Sequence, residues 1–206
     1  MKKTSTVLLM AVLSFCLFVS PFVVLAGPTE QVKPTLDKIL TVLSDTQLKG
    51  DDHKIERRAK VMEIIKKRFD FHEMSRRVLG NTWKEISHDD QEHFTKLMTK
   101  LLENVYIGKL ESYSGQKIEY IDEKIKGDKA LVSTTIENNN KKIPLYYILI
   151  NTSSKWMVYD INIDGVSLVK NYREQFKSVL KRDRFSGLVK ELEQMNKDLA
   201  GGNENI

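Results

Sequence analysis

The spacing of apolar residues changes twice along this chain, and that change limits the fold more than any single motif does. Up to about residue 110, apolar side chains recur three or four apart, as on one face of a helix. Leu36, Ile39, Leu40 and Leu43 mark a first helix over 35–43, ended by a polar break at 49–52. Ile55, Ala59, Met62 and Ile65 mark a second over 55–69. Asp70 opens a short third helix carrying Met74, Val78 and Leu79, with Gly80 placed to cap its end. Ser87 caps the longest helix, and Asp89 and Asp90 complement its dipole. Its stripe runs through Phe94, Leu97, Met98, Leu101, Leu102, Val105 and Leu110, flanked by Tyr106 and Tyr113.

From residue 118 to 163 the period drops to two. Ile118 and Tyr120 alternate with polar residues, and Ala130, Val132, Thr134 and Ile136 share one face of the next strand. Turns at Gly127-Asp128, at 138–140 and at Ser153-Ser154 join successive strands, so the sheet is antiparallel, with about four strands. Residues 143–150 are nearly all apolar, which predicts a strand covered on both faces. Helical spacing then returns through Leu168, Tyr172, Phe176 and Leu180, and again through Phe185, Leu188, Leu192 and Met195. The polar end, 200–206, is expected to fray. With no repeat and no interior linker, this order predicts one α+β domain, an antiparallel sheet covered by N- and C-terminal helices.

The first residues point to export. Lys2 and Lys3 precede an apolar run over 7–25 that ends in Val24-Leu25-Ala26. A basic start, an apolar stretch and a small-x-small site form a secretory signal, with cleavage expected after Ala26. Residues 27–206 are then the working domain. Cys16 is the chain's single cysteine and lies inside the signal, so neither disulfides nor a thiol nucleophile serve that domain. Its 180 residues must rest on a hydrophobic core, and they suffice for one. The chain's formal charge of +5 falls to +3 once Lys2 and Lys3 are removed, and the charges are interspersed. That pattern suits a solvated surface and easy approach to anionic membranes. It offers no basic and aromatic module for nucleic acid.

Chemistry is sparse. His88 and His93 are five apart, where a zinc-binding helix needs four, and their acidic neighbours read as a helix start. Ser167 lacks the second glycine of a nucleophile elbow and reads as a helix cap. No phosphate loop or calcium loop occurs. Asp160 lies within an apolar strand and needs a partner: Arg173, Lys170 or a backbone amide. No catalytic residue, metal site or cofactor is expected.

Three segments together resemble the MlaC family. The first runs Phe69-Asp70-Phe71-His72-Glu73-Met74-Ser75-Arg76-Arg77-Val78-Leu79-Gly80, followed by Trp83. The second spans Tyr106 to Tyr113-Ser114-Gly115. The third runs from Trp156-Met157-Val158-Tyr159-Asp160-Ile161 through Gly165-Val166-Ser167-Leu168-Val169 to Arg173 and Phe176. The resemblance implies a soluble, monomeric periplasmic shuttle. Such a protein carries phospholipid between an outer-membrane lipoprotein complex and an inner-membrane ABC complex, and hydrolyses no ATP itself.

A carrier of that kind needs a deep apolar cavity between helices and sheet. Its expected lining is Leu101, Leu102, Val105 and Tyr106 from the long helix and Tyr147, Leu149, Trp156 and Val158 from the sheet. Val166, Leu168 and Val169 follow, with Arg173 at the mouth facing a phosphate. Two alternatives stay open: a periplasmic chaperone or adaptor for lipoproteins, and a small-molecule enzyme on a curved sheet.

Overall fold

The computed structural model describes residues 26–111, 115, 117–138 and 141–201. The export signal expected upstream of Ala26, the flanking Tyr113, Ser114 of the second family segment, most of the turn at 138–140 and the tail beyond residue 201 lie outside the described residues.

Among the described residues, four α-helices precede the sheet and one long helix follows it. Helix α1 (Pro28–Ser44) begins earlier than the apolar spacing predicted, because Pro28 stands at the first helical position, where its missing N–H loses no bond. Helix α2 (Lys54–Lys66) ends sooner than expected. Phe69 leaves the helix to form a parallel bridge with Val158, in which the Val158 N–H donates to the Arg68 carbonyl at 2.9 Å. Asp70 caps α3 (Phe71–Leu79) by accepting from the Glu73 N–H at 2.8 Å. Gly80 closes that helix at φ 60°, a conformation glycine adopts without steric penalty. Ser87 caps α4 (His88–Glu111) through the Asp90 N–H.

The sheet has five antiparallel strands in chain order: β1 (Ile118–Lys126), β2 (Lys129–Asn138), β3 (Lys141–Thr152), β4 (Lys155–Ile163) and the short β5 (Val166–Ser167). The expected count of about four is thus raised by a two-residue strand with no periodic signal of its own. Helix α5 (Leu168–Ala200) is one element with a break at Arg184, where φ is 58° and ψ −168°. That break lies between the two apolar stripes read from the sequence.

Every sheet residue that packs into a core lies on one face. Helix α1 lies across that face, and the Gln31 side chain joins the Trp156 N–H and the Ser154 carbonyl. Strand β3 is therefore covered by helices on one side, where its apolar run predicted two. A bulge in β4 decides which residues face inward. Leu149 pairs with Val158 but Ile148 pairs with Asp160, so Tyr159 is the extra residue. Beyond it Ile161 and Ile163 turn inward, while Asp160 turns toward the start of α5. There it accepts from the Ser167 hydroxyl at 2.6 Å and the Val169 N–H at 3.0 Å. A backbone amide thus satisfies Asp160, one of the three partners its sequence allowed.

Two separate apolar cores result. One joins α3, α4 and α5 around Phe94, Leu101 and Leu188. The other joins α1, α2 and the sheet around Val32, Val132 and Leu149, and takes Ile107 from α4.

Asp160 closes the start of α5 from a buried position, so removing its acceptor oxygens leaves two donors unpaired. Asp160→Ala is expected to lower stability by about 2–3 kcal/mol, read by urea unfolding. A loss under ~0.5 kcal/mol, the scale of an ordinary surface change, would show that the cap is dispensable.

Candidate functional site

The two cores do not merge, and a cavity of about 470 Å³ lies between them. Its helical wall comes from Leu36, Ile39, Leu40 and Leu43 of α1 and Met62 and Ile65 of α2. Spacings of three and four put the α1 residues on one stripe, directed at the sheet. Phe69, Phe71 and Met74 close one side, and Leu102, Tyr106, Ile107 and Leu110 of α4 another. The sheet contributes Ile136, Leu145, Tyr147, Ile161 and Ile163, among others, and α5 contributes Leu168. Among the described lining residues only Glu103 and Lys109 carry charge.

The tyrosine hydroxyls near this wall are neutral. Tyr147 is buried, and burial, with the nearby Tyr120 phenol, pushes its own phenol well up against the opposing effect of a hydrogen bond to Thr134. Tyr106 shares a hydrogen bond with Tyr172, and burial raises both phenols. Burial also pushes the Tyr120 phenol up to about 12, aided by Asp37. All stay uncharged at neutral pH. Such a surface can bury hydrocarbon. The Lys109 ammonium lies 5.2 Å from the Tyr106 ring centre, at the α4 rim of the cavity.

An ion cluster ties the two helical walls together. Glu111, the last residue of α4, accepts from Arg57 at 2.9 Å and from Arg58 at 2.7 Å, with its side chain 11% exposed. Arg57 also donates to the Gly50 carbonyl and, at 2.5 Å, to that of Leu48, fixing the loop before α2. Burial pushes the Glu111 carboxyl up. The hydrogen bonds and charges of Arg58 and Arg57 more than reverse that and hold it below the usual carboxylate range.

The structure divides the residues expected to line a cavity. Leu102, Tyr106, Tyr147 and Leu168 stand on its wall. Leu101, Leu149 and Val158 are wholly buried in the cores, and Trp156 and Val169 nearly so, because helices already cover those positions. Val105 packs against the α3–α5 core, one helical step away from the wall. Val166 is 53% exposed on the short edge strand. Arg173 is not at the mouth: its guanidinium donates to the Arg77 carbonyl, satisfying the end of α3. The charged rim is Glu103 and Lys109 instead. The wall of α1, and Ile161 and Ile163 beyond the bulge, escaped sequence reasoning. The α1 stripe was visible, but nothing local says which layer it faces.

The family described as "MlaC protein" matches residues 33–194. The chain is similar to the Intermembrane phospholipid transport system binding protein MlaC of Haemophilus influenzae, 30% identical over 124 residues. That match spans 57% of this chain and 58% of that relative's length. It is also similar to a solved phospholipid-binding protein from Ralstonia solanacearum in complex with a phospholipid. That likeness has a TM-score of 0.75 at 28% identity and covers 85% of this chain and 99% of the other.

Glu111→Gln leaves two arginines without their counter-charge and is expected to destabilise by about 2–3 kcal/mol at pH 7. The wild-type carboxylate has a folded value below its unfolded one. Its contribution is therefore complete above the unfolded value of about 4.3 and fades as the pH falls through the lower folded value. Denaturation of both proteins between neutral and acid pH checks this. A gap between them that widened on acidification would overturn it.

Proposed function

The chain belongs to the MlaC family, and we propose that it is a periplasmic phospholipid carrier that performs no chemistry on its cargo. The acyl chains occupy the cavity between the two cores, and the headgroup stays at the α4 rim. Residues 27–206 form the single working domain once the signal is cleaved after Ala26. It acts as a monomer. It exchanges lipid with an outer-membrane lipoprotein complex and an inner-membrane ABC complex.

One observation carries the reading: an apolar cavity whose described lining residues carry charge only at Glu103 and Lys109, in a fold shared with a protein solved around a phospholipid. The energetics agree. Exposing about 28 methylenes to water costs on the order of 20 kcal/mol, at ~0.8 kcal/mol each. A carrier must therefore offer apolar surface throughout, and this wall does. Leu102, Tyr106, Tyr147 and Leu168 are the expected contacts among the residues first singled out, joined by Leu145 and Ile161. Neutral, buried phenols and an apolar wall favour carriage over an enzyme on the same scaffold.

The test is cargo. Residues 27–206, exported, purified without detergent and analysed by native mass spectrometry with lipid extraction, are expected to hold stoichiometric phospholipid. An acylated peptide in its place would favour a lipoprotein chaperone. A folded, empty protein that takes no lipid from vesicles would sink the carrier reading. Leu145→Trp and Ile161→Trp fill the cavity from the sheet and are expected to cut bound lipid severalfold while the fold persists, seen by circular dichroism. Unchanged lipid content in both would move the binding site elsewhere.

A further inference from the structure

The outer face of the sheet presents an apolar patch that carriage does not explain. Strand register places Leu131, Ile148, Ile150 and Met157 together there: Leu131 pairs with Ile148, and Ile150 with Met157. All four are half-buried, and none belongs to either core. An antiparallel sheet with one solvated face normally alternates apolar and polar residues, and β3 breaks that rule at its centre. Contiguous apolar surface of this kind marks an interaction site more often than a neutral surface does.

The same register fixes the rim. Lys124 pairs with Leu131, Lys126 with Lys129, Lys129 with Ile150, and Lys155 with Thr152, so four lysines flank the patch on the same face, at its turn end and along its β1 side. All four are exposed. Two acids share that face here: Asp122, 3.4 Å from Lys124, and Asp160, which pairs with Ile148 but is buried and already accepts from the Ser167 hydroxyl and the Val169 N–H, so the exposed charge at the patch is mainly basic. An apolar centre inside a charged rim is the anatomy of a protein interface. The rim's sign specifies the partner.

We infer that this face docks a protein whose surface has an apolar centre ringed by aspartate and glutamate. A second copy using the same face would set lysine against lysine, which opposes pairing. A lipid bilayer fits less well: the four apolar side chains are half-buried among their neighbours and do not extend to acyl depth. The patch also lies at the end of the sheet away from Ile118, Ile136 and Ile143, which line the cavity. A partner bound there leaves the cavity uncovered and free to exchange cargo.

The test uses the whole exported chain and three probes: inner-membrane vesicles with the periplasmic face outward, outer-membrane fragments, and protein-free liposomes of the extracted lipids. The wild type is expected to sediment with one of the two native membranes, less so as salt rises, and with liposomes hardly at all. Lys129→Glu with Lys155→Glu reverses charge at exposed positions that the fold does not use, and is expected to weaken that sedimentation about tenfold. Ile148→Asp is expected to do the same from the apolar centre. Bound lipid per chain, measured in parallel, is expected to stay unchanged, which separates this inference from the carrier reading. Equal sedimentation with liposomes would make the bilayer itself the partner and overturn the inference. So would sedimentation with neither native membrane, or charge-reversed protein that sediments like the wild type.

Discussion

A helix of 24 residues is about 36 Å long, more than one packing layer covers, and α4 spends its two ends in different cores. Phe94, Met98 and Leu101 lock into α3 and α5, while Ile107 joins the sheet and α1. Between those ends the helix bridges an open seam. Close packing elsewhere makes the seam durable: a core wholly buried around Leu188 and Leu192 does not stretch across to meet one built on Val132 and Leu149. The void is thus a product of two well-formed cores held a fixed distance apart by a shared rigid rod, and its apolar lining follows from being their unclosed edge.

How much of this could be read from residues alone varies with the range of the interactions involved. The layer order was legible because helical and two-residue spacings are local properties, visible at Leu36–Leu43 and at Ala130–Ile136. The inward set of β4 was half legible. Trp156 and Val158 follow simple alternation, but the extra residue at Tyr159 reverses parity, so Ile161 and Ile163 face inward while Asp160 does not. No pattern of apolar residues announces a bulge. The choice between wall and core was not legible at all. Leu149 and Leu145 differ in no local respect, yet one is wholly buried and the other faces the cavity. What covers each of them is set by elements far away in sequence.

Charge is arranged so that it holds the frame without entering the interior. Glu73 is buried, and burial raises its carboxyl. Arg76 and Arg77 bond it at 2.6–2.7 Å and leave it below the ordinary range. Arg77 in turn lies 3.9 Å over the Tyr159 ring, at the bulge. With Arg173 on the Arg77 carbonyl, this chain of contacts runs from α3 to β4 and α5. Glu111 and its two arginines do the equivalent job between α2 and α4. Both clusters sit where elements meet, which lets the space between the cores remain almost free of charge.

The bond from the Trp156 N–H to Gln31 joins residues 125 apart in the chain. Contacts of such long separation form late, since most of the loop between them must first be ordered. Strands β1 to β4 are joined by short turns and can pair before α1 finds its place. The cavity wall made by α1 is therefore expected to assemble last. Until it does, the inward face of the sheet is bare apolar surface, so the chain is at its most aggregation-prone when its sheet is complete and its first helix is still undocked.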